Sequence, residues 1–245
     1  MTKAKGPGGR LGGKDPGEET IMGRKLVNAE AARKAEMEKN KKKKLGILWS
    51  CIAGVVLLAA VLLAVFWPRP KAEQNGHYTA EIVVRDYGKI TVELYPEYAP
   101  LTVKNFVELA DSGFYDGLTF HRIMSGFMIQ GGDPNGDGTG GSDHLITGEF
   151  AANGFPENTL AHTRGVISMA RASSSYNSAS SQFFIMHSDN NTLNGYYAAF
   201  GRVINGMTVV DQIASNARPT DNNGTIKPED QPVITSIRIT SRPGE

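Results

Sequence analysis

Cysteine is nearly absent from this chain, because Cys51 is the single example among 245 residues. One cysteine excludes an internal disulfide and any metal site built from several thiolates. The five histidines are scattered without the spacing of metal ligands, so no metal site is predicted. Tryptophan is also scarce, and charged side chains are missing altogether from residues 45–67. That uncharged run separates two charged parts of the chain.

Charge is distributed unevenly between those two parts. The net charge is +1, with 26 Lys and Arg against 25 Asp and Glu. Residues 1–44 hold 13 basic and 6 acidic residues, a net charge of +7, whereas residues 45–245 hold 13 and 19, a net charge of −6. The two parts are therefore suited to different environments. The acidic C-terminal part argues against nucleic acid as a partner, since phosphate binding requires clustered Lys and Arg.

The uncharged run at residues 45–67, LGILWSCIAGVVLLAAVLLAVFW, is long enough to cross a bilayer. As a helix it would extend about 34 Å at ~1.5 Å per residue. Trp49 and Trp67 lie near its ends, where indole rings favour the headgroup region. Residues 41–44 are all lysine and few basic residues follow the run, so the positive-inside rule places the N-terminus in the cytoplasm. We predict one transmembrane helix, a cell-membrane location and an extracytoplasmic C-terminal domain.

Two other interpretations of this run fit the sequence less well. A cleaved signal peptide has a shorter apolar core and a small-x-small cleavage site, whereas Phe66, Trp67 and Pro68 end this run. A buried core helix is shorter and is not flanked by four lysines. The predicted domains are a largely disordered, basic cytoplasmic tail (1–44), the transmembrane helix (45–67), an extended linker (68–77) and a folded domain (78–245).

Alternating apolar and polar residues predict strands over most of the C-terminal domain. The predicted strands are Tyr78–Val84, Lys89–Leu94, Gly165–Ala170, Gln182–Met186, Ala198–Ile204 and Val233–Thr240. Residues 86–88, Asp-Tyr-Gly, predict a hairpin turn between the first two. Apolar residues at helical spacing predict helices at Pro100–Ser112 and Met207–Ala214. Many short strands, two helices and a late strand that returns near the first are typical of a mainly β, closed antiparallel barrel.

Residues 120–133, FHRIMSGFMIQGGD, place one cation among large apolar groups. Phe120, Phe127 and Ile129 have the aromatic or β-branched character of strand residues. Burying Arg122 among them is costly unless its guanidinium points into a cleft. An arginine keeps its proton near neutral pH, so it acts as a hydrogen-bond donor and a source of positive field. We therefore predict a cleft with apolar walls and a permanent positive charge.

This segment resembles the signature of the cyclophilin family of peptidyl-prolyl cis-trans isomerases, which is Phe-His-Arg followed by Gly-Phe-Met and Gln-Gly-Gly-Asp. Four later blocks are similar to the family in the same order: residues 138–141 (GTGG), 168–170 (SMA), 181–185 (SQFFI) and 200–203 (FGRV). The resemblance extends from Thr79 to Thr240 and does not include residues 1–77. It implies a closed eight-stranded antiparallel barrel capped by a helix at each end. Together with the transmembrane helix predicted at residues 45–67, it indicates a membrane-anchored bacterial form of the family.

The resemblance also implies an activity and a set of site residues. The activity is cis-trans isomerisation of X-Pro bonds in proline-containing polypeptides, in folding or exported proteins, with no cofactor. Arg122, Gln130 and Phe184 match the catalytic positions. Nine residues match positions that bind substrate: Phe127, Met128, Gly138, Ala170, Arg171, Ala172, Gln182, Leu193 and Tyr197. Because no bond breaks, the implied catalysis is non-covalent stabilisation of the twisted amide, with Arg122 as the donor.

The sequence departs from the family pattern at several of these positions. Thr192 stands where the best-studied members have tryptophan, Tyr197 where they have histidine and Arg171 where asparagine is usual. Thr192 lacks the flat contact that cyclosporin-type inhibitors use, so weak cyclosporin binding is expected. Tyr197 keeps an aromatic wall with a polar tip. The serine-rich loop at residues 173–180 is longer than the common version.

Other motifs in this region do not support a different function. Residues 136–141 fit GxGxxG, but no helix-forming segment follows in a βαβ unit. Residues 133–144 begin like a calcium loop, but His144 occupies the position of the required glutamate. His121 lies near Asp133 without a nucleophile, so we predict a packed, hydrogen-bonded histidine. A non-catalytic module that binds proline peptides in the same groove stays open as the alternative.

Overall fold

The computed structural model of this chain describes residues 33–34, 36–39, 41–43, 45–46, 49 and 76–244. The chain divides into two units, Met1–Arg69 and Pro70–Glu245. In the first unit the described residues are helical. No helix among the described residues is both long enough and apolar enough to cross a membrane. The predicted span 45–67 lies outside the described residues, apart from 45, 46 and 49, so the predicted span, tail and linker stay predictions.

Among residues 76–244 the second unit contains eight strands, six of which the alternation of apolar residues predicts. Their bounds are Tyr78–Val84 (β1), Gly88–Leu94 (β2), Arg122–Met124 (β3), Met128–Gly131 (β4), Val166–Met169 (β5), Phe183–Met186 (β6), Ala198–Asn205 (β7) and Ile234–Ser241 (β8). Each strand predicted with bounds begins and ends within one residue of the observed strand. The predicted hairpin turn joins β1 to β2, and Asp86 adopts a left-handed backbone there, with φ of 65°. Aspartate tolerates that conformation better than most residues.

All the strand pairs are antiparallel, and they form one sheet in the order β3-β4-β6-β5-β7-β2-β1-β8. Among the described residues no ladder joins the edge strands β3 and β8. The backbone before β3 bonds to β8 instead, since Gly117 N–H donates to the Ile234 carbonyl at 2.8 Å and Ile234 N–H donates to the Leu118 carbonyl at 2.7 Å. The structure is thus a curled eight-stranded antiparallel sheet with helices, which confirms the predicted strand number and the antiparallel arrangement. The predicted full closure is not seen, because no ladder joins β3 to β8 among the described residues.

Two α-helices pack against this sheet, α1 at Pro100–Asp111 and α2 at Met207–Asn216. Pro100 begins α1, a position at which its missing N–H costs nothing. The carboxylate of Glu149 lies at that N-terminus, where it accepts from Leu101 N–H at 2.9 Å and Thr102 N–H at 2.8 Å. The helix dipole has its positive end there, so it stabilises this negative charge. Helix α1 therefore begins at Pro100, as the sequence predicts. Its first N–H groups are bonded by the buried side chain of Glu149, which is distant in sequence.

The sheet has apolar side chains on both faces, and strand alternation assigns each residue to one of them. We call the face that carries Ile129, Ile167, Phe183 and Ile185 the core face, since these residues belong to the main hydrophobic core. We call the opposite face of β4, β5, β6 and β7 the site face. It carries a separate apolar cluster made of Met128, Val166, Phe184, Met186 and Ala199. Strands β5 and β6 are buried at every residue because both of their faces are covered.

Candidate active site

A cavity of about 490 Å³ opens on the site face. Ten of the twelve residues predicted for the site line it: Arg122, Phe127, Met128, Gln130, Gly138, Ala170, Arg171, Phe184, Leu193 and Tyr197. The other two, Ala172 and Gln182, line a smaller neighbouring cavity of about 170 Å³. Gln130, Gly138, Ala170 and Arg171 line both cavities. The fold thus brings all twelve predicted residues to one groove.

Arg122 begins β3 and extends its guanidinium into this groove. Its Nε donates to the Asn223 carbonyl at 2.7 Å, and its Nη1 donates to Gln130 Oε1 at 3.1 Å. Arg122 and Gln130 are directly paired in the β3–β4 register, which explains why their side chains meet. Partial burial lowers the pKa of Arg122, while Tyr197 and Asp221 act in the opposite direction. The guanidinium is still a cation near neutral pH, since an arginine begins far above that range.

Two glutamines connect Arg122 to the loop on the far side of the groove. Gln130 Nε2 donates to Gln182 Oε1 at 2.9 Å. Gln182 Nε2 in turn donates to the carbonyls of Gly138 at 3.1 Å and Gly140 at 2.8 Å. Each amide thereby has its oxygen and nitrogen assigned by its neighbours. This chain of hydrogen bonds fixes the orientation of the Gln130 side chain that holds Arg122.

Apolar side chains form a cup beside the guanidinium. Phe127, Leu193 and Tyr197 are partly buried and pack against the site-face cluster, to which Phe184 and Met128 belong. The rings of Phe184 and Tyr197 meet edge to face, with centroids 5.8 Å apart. The Arg122 guanidinium carbon lies 6.0 Å from the centroid of the Phe127 ring. The cup is therefore apolar at its base and positively charged at one edge.

A buried histidine, which no motif in the sequence indicates, supports the base of the cup. The His162 ring lies parallel to Phe184, with centroids 6.0 Å apart and an interplanar angle of 18°. Its Nε2 is 3.0 Å from the Ser168 hydroxyl and its Nδ1 is 3.1 Å from Asn194 Oδ1. Burial lowers the pKa of His162, and the Asn194 contact only partly offsets this. The ring is consequently neutral at physiological pH and holds Phe184 from behind.

Six cavity residues are not among the predicted ones: His121, Asp137, Thr139, Ser173, Asn223 and Thr225. Asn223 is the most consequential, because its carbonyl holds Arg122 Nε from 101 positions away. Asp221 organises that loop by accepting from Asn223 N–H and Thr225 N–H, both at 3.0 Å. The Asp-Asn-Asn-Gly sequence at residues 221–224 is a turn signal, but nothing in the pattern indicates which side chain the turn contacts.

The structure corrects one prediction about His121. The ring is packed as predicted, with 4% of the residue exposed. Neither of its nitrogens has a hydrogen-bond partner among the described residues, so the predicted hydrogen bonding is wrong. The nearby carboxylate of Asp133 is already engaged by backbone N–H groups of Asn135 at 2.8 Å and Gly138 at 2.6 Å. Burial lowers the pKa of His121, which keeps the ring neutral.

The positions at which the sequence departs from the family pattern differ in their relation to the cavity. Tyr197 and Arg171 line it, and the Arg171 guanidinium carbon lies 4.7 Å from the Tyr197 ring centroid. Thr192 is exposed on a short 3₁₀ helix, Asn191–Leu193, and does not line the cavity. Its backbone N–H donates to Asn190 Oδ1 at 3.0 Å, which caps that turn. The departures therefore change the walls of the groove and leave Arg122 and its partners intact.

Comparison with known proteins identifies the class to which this fold and groove belong. The family described as cyclophilin type peptidyl-prolyl cis-trans isomerase/CLD matches residues 79–240. That match covers more than half of the 245 residues. This chain belongs to the cyclophilin-type peptidyl-prolyl cis-trans isomerase family, and its activity is peptidyl-prolyl cis-trans isomerisation. The family and the activity that the sequence predicts are both confirmed.

Individual relatives agree with this assignment. Peptidyl-prolyl cis-trans isomerase B of Bacillus subtilis is 46% identical over 129 residues, which are 53% of this chain and 85% of that protein. A peptidyl-prolyl cis-trans isomerase of Helicobacter pylori is 44% identical over 145 residues, 58% of this chain and 85% of that protein. A crystal structure of a cyclophilin type isomerase from Cryptosporidium parvum, in the presence of the dipeptide Ala-Pro, is similar with a TM-score of 0.58. It is 36% identical and covers 67% of this chain and 99% of its own.

Proposed function

We propose that this protein accelerates X-Pro rotation by stabilising a twisted amide between Arg122 and the apolar cup. Rotation about a peptide bond faces a barrier of ~18–20 kcal/mol that arises from amide resonance. Twisting the bond returns the lone pair to the proline nitrogen, which then accepts a hydrogen bond that the planar amide cannot. A donor at that nitrogen stabilises the twisted state more than the planar one, and this difference is what lowers the barrier.

The observation that carries this proposal is the fixed guanidinium at the edge of the cup. Arg122 is bonded to the Asn223 carbonyl and to Gln130, so its remaining N–H groups are oriented before any substrate arrives. Gln130 is itself held by Gln182. Preorganised donors in a partly buried groove act more strongly than mobile donors in water. Each ~1.4 kcal/mol of preference for the twisted state gives a tenfold rate gain.

The cup supplies the site for the proline ring. Apolar surface is presented to the cavity by Phe127, Met128, Phe184 and Leu193. The proline ring binds there because its methylene groups are buried against that surface. The related Cryptosporidium parvum enzyme was crystallised in the presence of Ala-Pro, which supports proline-containing peptides as substrates. The groove that continues past Gly138, Ala170 and Ala172 fits the extended backbone on one side of the proline.

A non-catalytic module that binds proline peptides would use the same cup. It would have no need of a cation whose position is fixed by Gln130 on β4 and by the carbonyl of Asn223. Isomerisation of an Ala-Pro peptide measured by NMR exchange spectroscopy, with the full chain present at catalytic concentration, tests the two functions directly. Accelerated exchange is expected. Binding of the peptide without accelerated exchange would establish the binding module instead.

We further propose that this is a membrane-anchored bacterial form whose isomerase domain lies outside the cytoplasm and acts on folding or exported proteins. The support comes from the sequence: the uncharged residues 45–67, and the lysines at residues 41–44 that precede them. A reporter that is active only outside the cytoplasm, fused after Glu245, is expected to be active. Activity of a cytoplasm-only reporter at the same position would overturn the orientation.

Weak cyclosporin binding is also part of this proposal. Thr192 is exposed beside Leu193 and offers neither an indole ring nor its N–H donor. Thr192→Trp is expected to strengthen cyclosporin binding about tenfold, ~1.4 kcal/mol, in a calorimetric titration. Thr192→Phe is the matched variant, because it restores a flat ring without the donor. Tight binding by the unaltered protein, at about 1 nM, would show that this account of Thr192 is wrong.

A further inference from the structure

Arg171 is held on the rim of the groove by an aromatic cage. Its guanidinium carbon lies 5.5 Å from the Phe150 ring centroid, 4.8 Å from that of Tyr176 and 4.7 Å from that of Tyr197. Its Nε donates to the Tyr196 carbonyl at 3.1 Å. Stacking against aromatic faces and bonding to a carbonyl both restrict a side chain that is otherwise flexible. The cation is therefore fixed in place before substrate binds.

The cage is built from segments that surround the groove. Tyr176 belongs to the serine-rich loop at residues 173–180, and Tyr197 is a wall of the proline cup. Arg171 itself lines both the main cavity and the smaller one beside it. A peptide whose proline occupies the cup must run past this side chain to reach the smaller cavity. Arg171 consequently faces the residues that flank the proline.

The charge of Arg171 is not neutralised locally. No carboxylate lies within ion-pair distance of it among the residues that the structure describes. By contrast, Arg164 pairs with Asp211 at 2.7 Å. Two of the five N–H donors of Arg171 are used, by the Tyr196 and Ala172 carbonyls. The remaining N–H groups can donate hydrogen bonds to a ligand.

The other charged groups of the groove leave it positive. Arg122 is the second cation, and among residues 76–244 Asp137 is the one carboxylate that lines the main cavity. Asp137 already accepts from the Thr139 N–H at 2.9 Å and the Thr139 hydroxyl at 2.6 Å. Within the described part of the chain, no charged side chain except Arg171 lines the smaller cavity. An anionic substrate group is thus attracted to the part of the groove that Arg171 borders.

We propose that Arg171 is a specificity-determining residue that selects substrates carrying an Asp or Glu side chain beside the proline. The proposal rests on the isomerase function proposed above and adds a preference among its substrates. A planar guanidinium with free donors pairs well with a carboxylate. Because the cage has already fixed Arg171, little further side-chain freedom is lost when that pair forms.

The test measures catalytic efficiency, kcat/KM, for the full chain on peptides that differ only in charge beside the proline. Each of the two positions before and after the proline is occupied in turn by Glu, Gln or Lys, in an otherwise neutral peptide. NMR exchange spectroscopy is the assay, because a coupled protease would add its own preferences. We expect a preference of about threefold or more for Glu over Gln at one of these positions. Lys at that position is expected to be the poorest substrate.

Two substitutions of Arg171 separate charge from shape. Arg171→Gln removes the charge and is expected to abolish the difference between the Glu and Gln peptides. Arg171→Lys keeps the charge without the planar donors and is expected to retain part of it. Arg85→Gln is the matched control, because Arg85 is exposed in the turn between β1 and β2 and lines neither cavity. That control changes the net charge equally and is expected to keep the full preference.

The salt dependence provides a readout that needs no variant. The preference for Glu is expected to decline as ionic strength is raised from 0.05 to about 0.5 M, because screening weakens an exposed ion pair. Equal efficiency on Glu and Gln peptides at low salt would overturn the proposal, as would equal loss of the preference in Arg171→Gln and Arg85→Gln. Failure to isomerise even the neutral peptide would instead contradict the isomerase function.

Discussion

The two faces of the central strands carry the same kinds of residue, but the residues have different roles on each face. On the core face, Phe183, Ile185 and Ile129 are wholly buried among other apolar groups. On the site face, Phe184 and Met128 are nearly as buried, yet they border a cavity together with Arg122 and Gln130. The core face is closed by the sheet and the helices, whereas the site face is closed only in part. Only the site face, therefore, has an open cavity that a bound substrate can fill.

Strand β6 places two adjacent phenylalanines on opposite faces of the sheet. Its residues Phe183 and Phe184 are identical in chemistry and adjacent in sequence, and the period of the strand sends them to opposite sides. A shift of one residue in the register would exchange them. The pairs Phe183 with Gly131 and Phe184 with Gln130 fix that register against β4. Alternation thus places one of two neighbouring residues in the core and the other at the cavity where we propose that substrate binds.

The largest expected effect comes from truncating these two residues separately. Phe183→Ala is expected to destabilise the fold by about 3–5 kcal/mol, because it leaves a cavity in a close-packed core. Phe184→Ala is expected to cost less stability, since its ring already borders an open cavity. It should instead reduce peptide binding and rate together. Denaturant unfolding and NMR exchange spectroscopy on both variants measure the contrast, and equal effects of the two on stability and kcat/KM would contradict it.

A smaller effect is expected from the hydrogen-bonded chain that serves the site face. Gln182→Ala removes the acceptor of Gln130 and the donor to Gly138 and Gly140. We expect kcat/KM to fall about tenfold, equivalent to ~1.4 kcal/mol in the barrier. The free energy of unfolding should change by less than about 1.5 kcal/mol. Gln212→Ala, on the exposed side of α2, is the matched control, and an equal loss of kcat/KM in that control would rule out a specific role for Gln182.

The smallest effect concerns pH and the histidine behind Phe184. Burial lowers the pKa of His162 from its ordinary value of 6.5, so the unfolded chain binds the proton more readily than the folded one. Stability is therefore complete above about pH 6.5 and declines as the pH falls below it. His121, whose pKa burial also lowers, contributes in the same direction. His77 near Glu93 has a raised pKa and acts in the opposite sense.

Unfolding curves collected between pH 7.5 and about pH 5 measure this dependence. His162→Gln keeps polar atoms toward Ser168 and Asn194 but removes the titrating group, so the decline is expected to become shallower. His144→Gln provides the control, since His144 is exposed on a loop. A decline of the same steepness in His162→Gln and in the unaltered protein would show that His162 has no part in it.

The sequence predicts the regular parts of this molecule and the residues that short motifs carry. Alternation gives the positions of six of the eight strands, and the family resemblance identifies the twelve groove residues that the fold brings together. The irregular parts could not be predicted in the same way. The bonds between residues 117–118 and Ile234 that link the sheet edges follow no periodic pattern. The contact between Arg122 and Asn223 joins strand β3 to a loop far away in sequence, and only the folded chain shows it.

His121 and Arg171 show the same limit in single residues. The proximity of His121 to Asp133 suggests a hydrogen bond, but the backbone of residues 135–138 occupies that carboxylate. Arg171 is among the residues predicted for the groove, but the sequence gives no sign of the aromatic cage around its side chain. In both cases competing partners from other segments decide the outcome. Such competition is a property of the packed structure.

The central claim is that the site face catalyses through the fixed cation, and Arg122→Ala tests it most directly. Exchange spectroscopy on an Ala-Pro peptide, with a parallel titration of peptide binding, separates rate from affinity. We expect kcat/KM to fall about 100-fold or more, ~2.7 kcal/mol, with a smaller change in peptide affinity and an unfolding curve close to that of the unaltered protein. Arg122→Ala that folds, binds peptide and isomerises it at nearly the original rate would contradict the account.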